Sequence, residues 1–248
     1  MSKKLIVICF GIAALTAMVL PTIAAASPEV THPTGTTLAK NTKITATNTE
    51  TAILTTDPTD GSEPKVLSEC TKVVITGELL KNTGTEIEAN ITTATFSGAG
   101  EAFDNMAECK GLLGLGNLTP TTNGTDPVGT KIDGEDVANG TPWCLKSAAN
   151  DKFTVRGGTC NEAARAIVFI LNSTSAGECE MEKATAVEGE VRTDKTMSSE
   201  DALLTVPGDA RSTFKKIRGG VLCPSAGTLD LSFTLETDTT PASPIWIS

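Results

Sequence analysis

From Thr228 to Glu236 the chain alternates polar and apolar residues without a break: Thr-Leu-Asp-Leu-Ser-Phe-Thr-Leu-Glu. A period of two puts the leucines and the phenylalanine on one face and the hydroxyls and carboxylates on the other. That pattern does not fit a helix. It describes a strand with one face buried and one wet, as in an antiparallel sheet. Shorter relatives of it recur at Lys72–Thr76 and at Glu86–Thr92, which continues to Phe96. Ala164–Asn172 is apolar through Ile167–Leu171, which predicts a central strand covered on both sides. Threonine is the commonest residue, with 40 copies, and it suits a pleated, half-solvated surface. Turn signals separate the runs: Asp60-Gly61, Asn82-Thr83-Gly84, Asn123-Gly124, Asp133-Gly134, Gly157-Gly158 and Gly219-Gly220. Only Gly100–Lys110 and Glu162–Ala166 offer a helical turn or two. The fold class expected is all-β, an antiparallel sandwich or barrel of short strands. An outer-membrane barrel is disfavoured, because the chain has no Tyr and only 4% aromatic residues to build interfacial girdles.

The compartment is read from residues 1–26. Lys3 and Lys4 precede an apolar run, Leu5–Leu20, then Pro21 and the small-residue stretch Ala24-Ala25-Ala26. This is the pattern of a cleaved signal peptide, and the run is shorter than the ~20 residues of a spanning helix. Removing it leaves 222 residues and takes the formal charge from −10 to −12. So acidic a chain disfavours nucleic acid and anionic membrane surfaces as partners. No later segment is apolar and long enough to span a membrane.

Six cysteines remain after the leader: Cys70, Cys109, Cys144, Cys160, Cys179 and Cys223. An even number in an exported chain predicts three disulfides, but spacing alone does not choose among the fifteen connectivities. There is no C-x-x-C, and the single histidine, His32, lies in a polar N-terminal stretch, so no zinc site is expected.

Landmarks recur in the same order along two halves. Lys43-Ile44-Thr45-Ala46 is answered by Lys152-Phe153-Thr154-Val155, and Glu69-Cys70 by Glu178-Cys179. Gly77-Glu78-Leu79 is answered by Gly189-Glu190-Val191, and Pro142-Trp143 by the closing Pro244-Ile245-Trp246. This order predicts an internal duplication. The organisation expected is a signal peptide (1–26), an extended polar lead-in (27–40), and two related β units in tandem (41–148 and 149–248). Residues 111–140 are then an enlarged loop region of the first unit. On that reading Cys70–Cys109 and Cys179–Cys223 are equivalent disulfides, and Cys144–Cys160 staples one unit to the next.

The stretches Pro142–Ser147 (PWCLKS), Val155–Cys160 (VRGGTC), Leu222–Pro241 and the closing PIWIS resemble those of uncharacterised secreted β-rich proteins of soil actinobacteria. The resemblance spans most of the mature chain. It implies an exported bacterial β protein and supplies no catalytic residue, cofactor or metal ligand.

Catalytic chemistry finds little support. With its only histidine in the lead-in and its cysteines oxidised, the chain offers neither a Ser-His nor a Cys-His site. Among the acids, Glu78 and Glu190 are the equivalent pair of the two halves and the candidates for a two-carboxylate glycosidase. Sugar clefts usually carry stacking aromatics, and this chain is poor in them. The acidic loops Asp57–Glu63 and Asp133–Asp136 suit calcium in ligand type but not in EF-hand spacing. Trp143 and Trp246 read as core anchors beside a disulfide rather than as exposed binding platforms, and the two Arg-Gly-Gly stretches, Arg156–Gly158 and Arg218–Gly220, as turns. The expectation is an exported, non-enzymatic binding or structural module, extracellular or associated with the cell envelope. The alternative is a secreted carbohydrate-active hydrolase using paired carboxylates.

Overall fold

The computed structural model describes residues 29–31, 35–56, 63–97, 109–111, 115–121, 141–148, 151–173, 177–192, 202–239 and 243–247. Their regular structure is nearly all strand. The first half holds β1 (Val30–Thr31), β2 (Lys43–Asn48), β3 (Ala52–Thr56), β4 (Val66–Cys70), β5 (Lys72–Asn82), β6 (Glu86–Ser97), β7 (Lys110–Gly111), β8 (Leu115–Thr121) and β9 (Trp143–Ala148). The second holds β10 (Lys152–Gly157), β11 (Ile167–Ser173), β12 (Gly177–Lys183), β13 (Val187–Arg192), β14 (Leu203–Val206), β15 (Thr213–Arg218), β16 (Ala226–Thr237), β17 (Ser243–Pro244) and β18 (Trp246–Ile247). One 3₁₀ turn, Ala210–Ser212, is capped by Asp209, whose carboxylate accepts from the Arg211 amide at 2.8 Å.

Eight strands close into an antiparallel barrel in the order β2–β5–β6–β9–β10–β13–β14–β16, with β16 pairing back onto β2. Closure removes the unpaired edges that an open sheet would present. Alternation decides what faces inward: Ile75, Gly77 and Leu79 on β5, Phe153 and Val155 on β10, Leu231, Phe233 and Leu235 on β16. A second antiparallel sheet runs β8–β11–β12–β15–β16–β3–β4–β7. β16 belongs to both. Its residues 226–230 pair with β15 and β3, and its residues 231–237 with β14 and β2. The stretch with the clearest alternation is therefore the strand that joins the two sheets.

The second sheet packs on the barrel through an aromatic cluster. The ring of Phe169 on β11 meets Phe96, Trp143 and Phe214 edge-on, at centroid distances of 5.6, 6.4 and 4.8 Å. Such edge contacts are favourable beyond the area they bury. Residues 167–171 of β11 are all buried, with β8 and β12 on either side, as a continuous apolar run requires.

The three disulfides are Cys70–Cys109, Cys144–Cys160 and Cys179–Cys223, the set expected from the matched landmarks. The structure adds detail to the other expectations. The halves do not stand as separate sandwiches, since each contributes four consecutive strands to one barrel, and they meet at β9–β10 and at β16–β2. The lead-in is extended but not merely polar: Val30 and Leu38 are buried, and β1 pairs with β18 across Val30↔Ile247. Asn82 holds it there. Its Oδ1 accepts from Val30 N at 2.9 Å, and its Nδ2 donates to the carbonyls of Val30 and Leu38 at 2.8 and 3.1 Å. Glu162–Ala166 is not helical; Arg165 instead forms a bridge to Gly157. Within 111–140, Leu115–Thr121 is a strand. Gly100–Ala107 lies outside the described residues.

Candidate ligand-binding cavity

The barrel interior contains a cavity of about 120 Å³. Its wall is unevenly filled. On β10, β13, β14 and β16 the lining side chains, such as Phe153, Val155, Val191, Leu204 and Phe233, are fully buried. On β2, β5, β6 and β9 the inward-facing Ile44, Ile75, Gly77, Ala89 and Leu145 are only half-buried. The open space therefore lies along the wall built by the first half of the chain. The register explains why. Ile44, Gly77, Ile91 and Trp143 are consecutive partners across β2, β5, β6 and β9, and Leu79, Ala89 and Leu145 are partners in a parallel row. Gly77 and Ala89 are the small members of these rows, and they leave the gap. Gly77 also sits at a register shift, where a Cβ would come within 2.7 Å of the Asn90 carbonyl oxygen. On the opposite wall the equivalent glycine, Gly189, is covered by the Phe153 ring, whose Cζ lies 2.2 Å from where a Cβ would be. A Cβ at Gly189 would thus meet a side chain first, and one at Gly77 the backbone of β6.

Phe96, Ile167, Phe169, Phe214 and Leu229 close the end of the cavity toward the second sheet, and Val30 and Ile247 of the β1–β18 ribbon line it elsewhere. Among the described residues no charged side chain lines it. Ser147 is the one hydroxyl, and it donates to the Lys152 carbonyl at 2.8 Å. Trp143 is 4% exposed and lines the cavity, and its Nε1 has no hydrogen-bond partner among the described residues. The tryptophan is held firmly: the adjacent Cys144 is tied to Cys160, whose amide donates to Asn90 Oδ1 at 2.8 Å. The core-anchor reading of Trp143 is correct as far as burial goes, and its lining role was not visible in the sequence.

The other candidates are not brought together. Gly77 and Leu79 point inward, as do Val187 and Val191 on β13, so Glu78 and Glu190 stand on the outside of the barrel. β5 and β13 are four strands apart in a ring of eight, which places the two glutamates on opposite sides. Carboxylates flanking a glycosidic bond need to be roughly 5–9.5 Å apart. Glu190 instead accepts from Arg211 Nη1 at 2.8 Å. His32, Asp57–Asp60 and Asp133–Asp136 lie outside the described residues, and among the described residues no three His, Cys, Asp or Glu cluster to hold a metal. The Arg156 guanidinium donates to the carbonyls of Gly157, Cys160 and Glu162, and Gly158 and Gly219 take φ of 82° and 129°, so each Arg-Gly-Gly stretch ends a strand and leads into a turn. Shifted carboxyls lie away from the cavity. Hydrogen bonding to Arg211 holds Asp209 below its ordinary range; burial, with the Glu50 charge, raises Asp230.

Neither protein-family models nor characterised proteins match this sequence, and no solved structure matches its fold.

Proposed function

We propose that this chain is an exported, non-enzymatic binding module, extracellular or associated with the cell envelope, and that its ligand site is the barrel interior. The observation that carries the reading is the apolar cavity walled by Ile44, Ile75, Ala89 and Leu145, where an antiparallel barrel encloses space rather than filling it. Small apolar molecules are the natural occupants of such a space, since its apolar lining gains contacts when filled. Export is supported by the leader pattern of residues 1–26. The three disulfides, and the lack of any helix among the described residues long and apolar enough to cross a membrane, are compatible with it. Isothermal titration of the oxidised mature protein with ethylbenzene tests the site. Saturable one-to-one binding is expected, and no heat up to the solubility of the probe would remove the cavity as a ligand site. N-terminal sequencing of protein recovered outside the cytoplasm tests export, with Ser27 the expected first residue.

The same reading includes two related units. In the first half β2 pairs with β5, β5 with β6 and β6 with β9; in the second, β10 pairs with β13, β13 with β14 and β14 with β16. In the other sheet β3–β4–β7 is matched by β11–β12–β15, each half carrying one long-range disulfide. Repeated pairing order supports an ancestral duplication whose copies now share one barrel. Co-expressed fragments 27–148 and 149–248 should then associate one to one, and fragments that never associate would count against it.

A further inference from the structure

Resting on that reading of the cavity, we infer that its ligand is a small, uncharged, largely apolar ring compound with one hydrogen-bond acceptor, such as a ketone, aldehyde or ester, held by Trp143 Nε1–H. Three observations converge. The first is size: about 120 Å³ suits a single ring or two fused small rings, by comparison with cavities that take up benzene. The second is charge: no ionised group among the described residues lines the cavity, so an ionic ligand would find no partner among them. The third is the indole itself. Trp143 lies in the wall that leaves the space, in register with Ile91 and, one strand further, Gly77, and its N–H is buried without an acceptor. Proteins rarely leave a buried donor unmade. A trapped water is a poor substitute, because a buried water needs two to four polar partners and this part of the wall supplies one. Ser147 does not supply a second. It lies four residues along β9, roughly 13 Å away at strand rise, beyond the reach of so small a molecule.

The test compares two probes of nearly the same shape on the oxidised mature protein, acetophenone and ethylbenzene, by titration calorimetry and by the indole N–H signals in ¹H–¹⁵N spectra. Trp246→Phe identifies the Trp143 signal. The expected result is that acetophenone binds roughly two- to twelve-fold more tightly, the span of a net neutral hydrogen bond, and that it moves the Trp143 Nε1–H proton downfield. Ethylbenzene should leave that proton without a downfield shift. In Trp143→Phe the preference should fall to about one. If both probes bind equally and the Nε1–H does not move downfield, this inference is overturned while the cavity remains a binding site. If neither probe binds, the proposed binding function fails with it. Should Trp143→Phe not fold, the two probes and the Trp143 signal in the otherwise native protein still decide.

Discussion

Ala89→Ile tests the open space in the barrel directly. Ala89 points inward between Leu79 and Leu145 and, like Ile44, Ile75 and Leu145 on the same wall, is only half-buried. Isoleucine adds three carbons, each close to the roughly 30 Å³ that a water occupies in the liquid, and about 120 Å³ is free. At about 0.8 kcal/mol per buried methylene the gain is about 2.4 kcal/mol. Fixing the new rotamer returns about 0.5–1 kcal/mol of that, and the β-branched side chain suits the strand. A net stabilisation of about 1.5 kcal/mol remains, worth about 3–6 °C in Tm for a chain of this size. Scanning calorimetry of the oxidised protein, residues 27–248, measures it, with ethylbenzene titrated into both forms; the variant should be more stable and should no longer bind. The reasoning fails if Tm instead drops by several degrees, because an overpacked wall costs about 1–3 kcal/mol and would mean that the space is not there.

Other outcomes follow from the same geometry. Replacing Cys144 and Cys160 together by alanine opens a loop of 16 residues, which costs about 3 kcal/mol in the chain-entropy model; urea unfolding should stay cooperative with an earlier midpoint, and loss of all cooperativity would contradict a staple at the β9–β10 junction. Gly189→Ala drives a Cβ into the Phe153 ring and to within 2.6 Å of the Thr205 carbonyl oxygen, so a loss of about 1–3 kcal/mol is expected, and a neutral result in urea melts would refute the close approach. Asn82→Ala removes three hydrogen bonds from the lead-in; amide exchange at Val30 and Leu38 should quicken by at least ten-fold while β11 stays protected, whereas unchanged exchange would mean that burial of Val30 and Leu38 alone holds the segment. Asp230 is raised first by burial and then by the charge of Glu50, so its ionised form weakens the fold. The penalty is absent below the unfolded-state pKa near ~3.9 and grows as pH rises through the folded value. Asp230→Asn should therefore gain stability at pH 7 and lose the advantage in acid, and screening keeps the gain below about 1 kcal/mol; an equal effect at both pH values would refute the assignment.

Much of this architecture is legible in residue order. Strict alternation marks β16, a continuous apolar run marks β11, and matched landmarks lead to all three disulfides. Those signals are local or pairwise, and sequence records them well. Barrel closure is neither, since it depends on β16 finding β2 across nearly the whole chain. A sandwich and a barrel offer the same alternation to the reader. The cavity was harder still. It arises where Gly77 and Ala89 fall on neighbouring inward positions, while the matching Gly189 is filled by Phe153 from the next strand. Alternation shows which way a residue points but not whether a neighbour leans over it. Val30 and Leu38 were missed because isolated apolar residues among threonines and prolines carry no period.

The position of β16 also sets an order of events for a newly made chain. The disulfides span 16, 39 and 44 residues, and each lies within one half or at their junction. β16, by contrast, must pair with β2 and β3, more than 170 residues earlier. Short loops close at lower entropic cost than long ones, and chains rich in distant pairings fold slowly. Oxidation can therefore finish while the ring of strands is still open. The intermediate is a chain already cross-linked in both halves, with the inward faces of β2 and β14 exposed until the last strand arrives.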